Sequence, residues 1–177
     1  MSNFPAWWAL CQQPDNDGHA DDTSGGDVTR WGWTWSTYMD ARHHLGKVPI
    51  YDEFLALTQP QAMMLAQVYS WPKGGGLLLN SGPDVVVVDW EWTSGGAVTE
   101  IQFQLGFQDA DLDGIMGPHT AHAINAIDPA TFIAECSQWR SDYYDQLGFR
   151  DIYPGLYRRT DEAKALGLSL LKQKIGS

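Results

Sequence analysis

Hydrophobic positions along most of the chain recur every three or four residues, the period of an α-helix buried on one face. In "FPAWWALCQQ", residues 4–13, Phe4, Trp7, Trp8 and Cys11 share a helical face, and Pro5 is tolerable in a first turn. Residues 14–26 are rich in Asp, Gly, Asn and Ser and read as loop. The pattern then changes to alternation: Val28 and Arg30, followed by Trp31, Trp33 and Trp35 in step, predict a strand or hairpin arm over 27–35. Ser36 can cap a helix reaching about Leu45, which Gly46 ends. Thr58 is a second N-cap, before "QPQAMMLAQVYSW", and Pro72 lies beyond the end of that helix.

The second half is helical by pattern with one ambiguity. In "DVVVVDWEWT", residues 84–93, four valines favour a strand by propensity, while the periodicity fits a buried helix equally well. Val98, Ile101 and Leu105 share a face over 97–105, and a Gly/Asp-rich turn occupies 106–117. Pro118 opens a short helix at its first position. Phe132, Ile133, Cys136, Trp139, Tyr143 and Leu147 set a long helix over 129–147, and a last helix runs from about Asp161 to Lys172. The expected fold is mainly α, a helical bundle with one small β corner near residues 20–35.

At 177 residues and 44% hydrophobic, the chain is long enough to bury a core as one domain, or as one domain with a small satellite. A formal charge of −11 repels nucleic-acid backbones and anionic membranes, so neither is an expected partner. No apolar run approaches the roughly 20 residues of a membrane span. The N-terminus has no basic region and no clear cleavage site, so no signal peptide is expected and synthesis is placed in the cytoplasm. The two cysteines, Cys11 and Cys136, sit in apolar helical patterns and read as buried free thiols, a bridge between them being left open.

Chemistry is concentrated in "DDTSGGDVTRWGWTW", residues 21–35, where carboxylates give way to a diglycine, a threonine and three tryptophans. Diglycine allows a sharp turn beside a ligand, and the tryptophan faces suit either a core or sugar stacking. "DADLDG" at 109–114 imitates the start of a calcium loop, but the twelfth position is Thr120 where a bidentate glutamate is required. His119 and His122 are three apart on a helix with no third ligand in view. No metal and no cofactor are expected.

These motifs, taken in order, resemble the phage N-acetylmuramidases of glycoside hydrolase family 108, which carry a C-terminal peptidoglycan-binding region. The family pattern Asp-x-Gly-Gly-x-Thr-x-x-Gly-Ile is followed, with an insertion, by "DDTSGGDVTRWGWT", Trp33 standing in the Ile place. An aspartate in an apolar helix followed by glycines matches Asp89, Gly95 and Gly96 in "VVVVDWEWTSGG", which tips that segment to helix. Asp-Gly-x-x-Gly-Pro-x-Thr matches Asp113, Gly114, Gly117, Pro118 and Thr120, the most specific piece. An Arg-x-x-Tyr pair follows in "RSDYY", and "PGLYRRTDEA" resembles the family's Gly-Trp-x-x-Arg stretch, with Leu156 for Trp.

The resemblance implies a lysozyme-like domain over residues 1–104 and a peptidoglycan-binding-like helical region over 105–177. It implies cleavage of the β-1,4 bond between N-acetylmuramic acid and N-acetylglucosamine by a protein acting as a monomer on peptidoglycan glycan strands. Such a protein is made in a host cytoplasm and released to the periplasm or cell wall, by a holin or otherwise. Asp22 and Thr29 would hold or polarise a water, and Gly25, Gly26, Trp31, Trp33 and Asp89 would meet the substrate. The family's acid glutamate has no counterpart, because the first glutamate here is Glu53. Family spacing lands on Gln13, while sliding the first helix by its apolar residues lands on Asp15, with Asp17 two residues on. An aspartate acting as the acid, a lost activity and a Glu-to-Gln variant all fit. The last two, together with the acidic charge, point to the alternative of a non-catalytic cell-wall-binding or virion protein on the same scaffold.

Overall fold

The computed structural model of the chain describes residues 2–12, 21–22 and 28–175. They are mainly helical with one small antiparallel sheet, as the hydrophobic pattern predicts. The helices are α1 (Phe4–Cys11), α2 (Trp35–His44), α3 (Tyr51–Leu55), α4 (Gln59–Leu65), α5 (Trp71–Lys73), α6 (Pro83–Ser94), α7 (Ala97–Gln104), α8 (Pro118–Asn125), α9 (Pro129–Gln146) and α10 (Pro154–Ile175). A π-helical turn, Ala66–Ser70, lies between α4 and α5, and a 3-10 turn covers Asp109–Asp111. The strands β1 (Asp21–Asp22), β2 (Val28–Arg30) and β3 (Trp33–Thr34) pair antiparallel in the order β1-β2-β3.

Two compact units divide the chain, one formed by residues 1–7 with 71–177 and the other by residues 8–70. This corrects the boundary expected between residues 104 and 105, which falls inside the larger unit. The physical reason is α6. Pro83 through Trp90 are buried without interruption, so the first two turns of this helix have no solvent face. It needs neighbours on every side, and α7, α9 and α10 all pack on it. An autonomous domain ending at 104 would leave much of that valine-rich surface in water, at about 1.5–3 kcal/mol for each large apolar side chain.

The same burial explains why four valines form a helix. β-branched residues lose only a few tenths of a kcal/mol in a helix, far less than packing supplies. Pro83 stands at the first position, and the Asp84 carboxylate accepts from the backbone of Gly82 and Val85, each at 2.8 Å. Gly82 (φ +96°) meets Gly167 of α10 so closely that a Cβ at Gly82 would lie 2.9 Å from the Gly167 carbonyl oxygen. A side chain there would force α6 and α10 apart.

Asp84 also accepts from Asn3 at 2.8 Å, tying the N-terminal segment to α6 within the larger unit. Burial pushes its pKa up to about 6, against the opposing pull of these donors. The charged form is therefore favoured in the unfolded chain. The group's contribution to stability is complete below its unfolded value and is lost as pH rises through about 6. Thermal unfolding of the protein and of Asp84→Asn across this window should show the variant gaining on wild type by up to about 3 kcal/mol between pH ~4 and pH ~7. Parallel curves would contradict the assignment.

Other boundaries moved. Helix α10 begins at Pro154 rather than near Asp161, and α3 has no counterpart in the pattern reading. Pro72, expected beyond a helix end, lies inside α5. Thr34, not Ser36, caps α2, its hydroxyl accepting from Thr37 N at 3.2 Å. Thr58 caps α4 as expected, with the Gln61 side chain reaching back to the Thr58 backbone N–H at 2.9 Å.

Candidate functional site

The hairpin corner lies in the unit formed by residues 8–70. Strands β2 and β3 are joined by the two-residue turn Trp31–Gly32, with Thr29 paired to Thr34 and Arg30 to Trp33. Both turn residues have positive φ, 52° at Trp31 and 79° at Gly32, the type I′ geometry that matches the twist of a hairpin. Glycine is at ease there. Tryptophan is not, and a non-glycine residue in this region costs about 1–2 kcal/mol. The Trp31 indole N–H offsets part of that by donating to the Leu57 carbonyl at 2.7 Å, an oxygen that Arg30 Nε also reaches at 3.4 Å. A residue held in this conformation by a specific contact is the kind of strained position that recurs at binding sites.

The turn also breaks the alternation read from the sequence. Trp31, Trp33 and Trp35 do not share the face of one strand. Trp31 sits half-buried at the hairpin tip. Trp33 is fully buried, its indole N–H donating to the Ala62 carbonyl at 3.3 Å. Its expected role in substrate contact is thus corrected to a core role, because no face of the ring is open to a sugar. Trp35 begins α2 and joins an aromatic cluster, with ring centroids 5.7 Å from Tyr38, 5.0 Å from Tyr51 and 5.5 Å from Phe54. Of the three, Trp31 keeps the stacking role open.

Across β1 and β2, Asp21 is the partner of Thr29, and Asp22 the partner of Val28. The polar pair expected from the motif was Asp22 with Thr29. The register instead sets Thr29 opposite position 21, one residue earlier. The Thr29 hydroxyl oxygen is shielded from solvent and has no hydrogen-bond partner among the described residues. A buried hydroxyl without a partner forfeits about 1–3 kcal/mol, so Thr29 carries an unmet hydrogen-bonding demand at this corner. Gln13, Asp15, Asp17, Gly25 and Gly26 lie outside the described residues.

Asp89 belongs to the larger unit and is corrected from substrate contact to buried structure. Its side chain has no exposed surface. Arg140 donates to it at 3.0 Å, Arg159 at 2.6 and 3.0 Å, and the Trp7 indole at 3.2 Å. Arg140 also donates to the Tyr144 hydroxyl and to Thr93 Oγ1, each at 3.0 Å. Burial alone would raise the Asp89 pKa, but the two guanidinium charges and their hydrogen bonds hold the carboxyl below its usual range. Three of the motifs in the second half, around Asp89, Arg140–Tyr144 and Arg159, therefore converge on one ion-pair lock joining α6, α9 and α10.

The fourth, "DGIMGPHT", closes around a residue that sequence reasoning passed over. Gln102 on α7 is buried, and its amide nitrogen donates to Asp113 Oδ1 (2.9 Å), Thr120 Oγ1 (3.0 Å) and the Ile115 carbonyl (3.3 Å). Its carbonyl oxygen accepts from Gly114 N at 2.8 Å. Gly114 has φ +70° and Pro118 opens α8, as the sequence pattern predicts, and Thr120 faces inward. Asp113 Oδ1 also accepts from Ile115 N at 2.8 Å, so this aspartate is spent on the turn. The signal that could have found Gln102 is an amide side chain on the apolar face of α7, a position that demands buried partners. Cys11 and Cys136 are both buried thiols with no disulfide between them, and burial pushes the Cys136 thiol up to about 12. His119 is exposed, 3.9 Å from Asp111 and with its ring 5.0 Å from Phe107. No helix among the described residues is long and apolar enough to cross a membrane.

No family model and no curated protein matches the chain. Among solved structures, it is similar to that of SagA from Brucella abortus, with a TM-score of 0.75 and 25% identity over 95% of this chain and 92% of that one. The whole fold, and not one segment of it, is therefore shared with a protein of related architecture.

Proposed function

We propose that this protein is a peptidoglycan hydrolase of the N-acetylmuramidase type, cleaving the β-1,4 bond between N-acetylmuramic acid and N-acetylglucosamine. The observation that carries this reading is the hairpin corner. A solvent-shielded, unpartnered Thr29 hydroxyl stands across the ribbon from a carboxylate-bearing strand. An inverting glycosidase needs one carboxyl group to protonate the leaving oxygen and a polar group on the other side of the sugar to hold the attacking water. Thr29 with a β1 aspartate supplies the second of these. The acid is assigned to Asp15, the first carboxylate after α1 in the sequence, with Asp17 as the next candidate. Half-buried Trp31 offers a flat apolar surface to a sugar ring. The enzyme would be made in a bacterial cytoplasm and reach the wall by release through a holin or by another route.

A second reading is a wall-binding protein without turnover. The absence of any glutamate before Glu53 favours it. Release of reducing ends from purified peptidoglycan, measured beside co-sedimentation with it, separates the two. The hydrolase reading expects turnover, and a loss of about 100-fold in Thr29→Val and in Asp21→Asn, with co-sedimentation retained. Asp22→Asn should lose less, because Asp22 is paired with Val28 rather than Thr29. Co-sedimentation without turnover transfers the assignment to the binding protein. Neither turnover nor co-sedimentation removes both.

A further inference from the structure

In a chain with 22 carboxylates and 11 cationic side chains, an arginine without a carboxylate partner is unexpected. Five of the six arginines have one. Arg42 pairs with Glu53, Arg140 and Arg159 with Asp89, Arg150 with Asp145, and Arg158 with Glu162. Arg30 is the sixth, and among the described residues no carboxylate lies within ion-pair distance of it. It is also the first cation in the chain, and Asp15, Asp17, Asp21, Asp22 and Asp27 all precede it.

Arg30 is nonetheless held in place. It ends β2 and is half-buried. Its Nε donates to the Leu57 carbonyl at 3.4 Å, the oxygen that also receives the Trp31 indole N–H at 2.7 Å. The guanidinium therefore spends its inner N–H on orientation, beside the half-buried Trp31. Nη1 and Nη2 have no protein partner among the described residues, and neither is closed off from solvent. What is left open is the outer edge of the guanidinium, two parallel donors spaced for the two oxygens of a carboxylate.

We propose that Arg30 recognises a carboxylate carried on the side arm of a muramyl residue, bound by Nη1 and Nη2 while the sugar ring lies on Trp31. The inference rests on the peptidoglycan reading of this corner and names the chemical group that the corner selects. Thr29 and Arg30 are consecutive on β2, so their side chains project from opposite faces of the ribbon. Arg30 therefore does not touch the bond to be cleaved, and the group it meets is carried on an arm that leaves the sugar. N-acetylmuramic acid has such an arm and N-acetylglucosamine has none. The arm ends in its own lactyl carboxylate in peptide-free glycan, and in the carboxylates of the stem peptide where that is attached. The aspartates that precede Arg30 oppose long-range attraction of an anion, so recognition comes from the directed two-bond contact.

The test measures co-sedimentation of wild type, Arg30→Gln and Arg30→Lys with two glycans, intact peptidoglycan and peptidoglycan stripped of its peptides by an amidase. Each is used before and after conversion of its carboxyl groups to methylamides. The readout is the ratio of wild-type to variant affinity, which cancels the general repulsion between an acidic protein and an acidic polymer. Arg30→Gln should bind the unmodified glycan about tenfold more weakly than wild type, the scale of one hydrogen-bonded charge. On the methylamidated glycan the two should bind alike. Arg30→Lys should recover part of the loss, because it keeps the charge without the paired donors. A tenfold ratio that persists on stripped glycan assigns the contact to the lactyl carboxylate, and a ratio confined to intact peptidoglycan assigns it to the stem peptide. Because Arg30 also donates to Leu57, a purely structural role would weaken binding equally before and after methylamidation, and that result overturns the proposal. So does equal binding of Arg30→Gln and wild type to both unmodified glycans. Turnover without any dependence on Arg30 sinks this inference alone. Arg30-dependent binding without turnover leaves it standing on a wall-binding protein, and a wild type that binds neither glycan removes the peptidoglycan reading and this inference together.

Discussion

Asp89→Ala is expected to destabilise the protein by about 3–5 kcal/mol, a large share of the stability of a domain this size. The substitution leaves Arg140, whose side chain is 2% exposed, without its counter-charge in a site closed to water. Arg159, 20% exposed, loses its contact with this carboxylate at the same time. The cost comes from the orphaned Arg140 charge more than from the lost attraction. For that reason the double variant Asp89→Asn with Arg140→Met should lose clearly less than the sum of the two single changes. Chemical denaturation of the four variants, Asp89→Ala, Asp89→Asn, Arg140→Met and the double, measures both effects. Additive losses would mean that Asp89 and Arg140 are not coupled.

The pH dependence of the same residue has a definite sign. Because the Asp89 pKa is depressed in the folded protein, its contribution is complete above the unfolded value near 4 and is lost as pH falls through the folded value. Acid unfolding should thus be blunted in Asp89→Asn relative to its own neutral-pH stability. Asp84 acts in the opposite sense over a higher window, so these two groups together place the optimum near pH ~4, where the windows meet.

The second large effect concerns the general acid. Asp15→Asn should lower peptidoglycan turnover by about 100- to 10,000-fold, the range general acid catalysis supplies, with binding nearly unchanged. An aspartate is shorter than the glutamate this chemistry ordinarily uses. It must come closer to the glycosidic oxygen and have its pKa raised by apolar surroundings. Full activity in Asp15→Asn with loss in Asp17→Asn would move the acid two residues along and keep the mechanism. A silent wild type in which Gln13→Glu creates turnover would instead identify a muramidase scaffold that has lost its acid, and the wall-binding function would replace hydrolysis.

The sequence by itself determined most of the helical segments, but not α3, not the start of α10 and, by pattern alone, not the choice of helix over strand for α6. Apolar spacing at three and four residues, the Thr58–Gln61 capping box and Pro118 at a first helical position are local signals. They act within one turn of the chain, so they are readable without knowing what packs where. The motif "DGIMGPHT" also gave its turn correctly, because Gly114 at positive φ and a proline-started helix are local requirements.

Only the tertiary structure decided what the charged and aromatic residues do. The family resemblance implies a substrate contact for Asp89; its partners Arg140 and Arg159 are 51 and 70 residues away. Trp33 looked like a possible groove wall because alternation alone does not say which face of a ribbon is covered. The Trp31–Gly32 turn and the Ala62 carbonyl settled that. The pairing of Thr29 with position 21 rather than 22 came from a register that carries no signature in the residues themselves. The division of the chain at residues 7 and 70 followed from α6, whose burial on every side requires helices that come after it in sequence. In each case the deciding partner is distant along the chain, and hydrophobic period, which reports only that a face is buried, does not report what buries it.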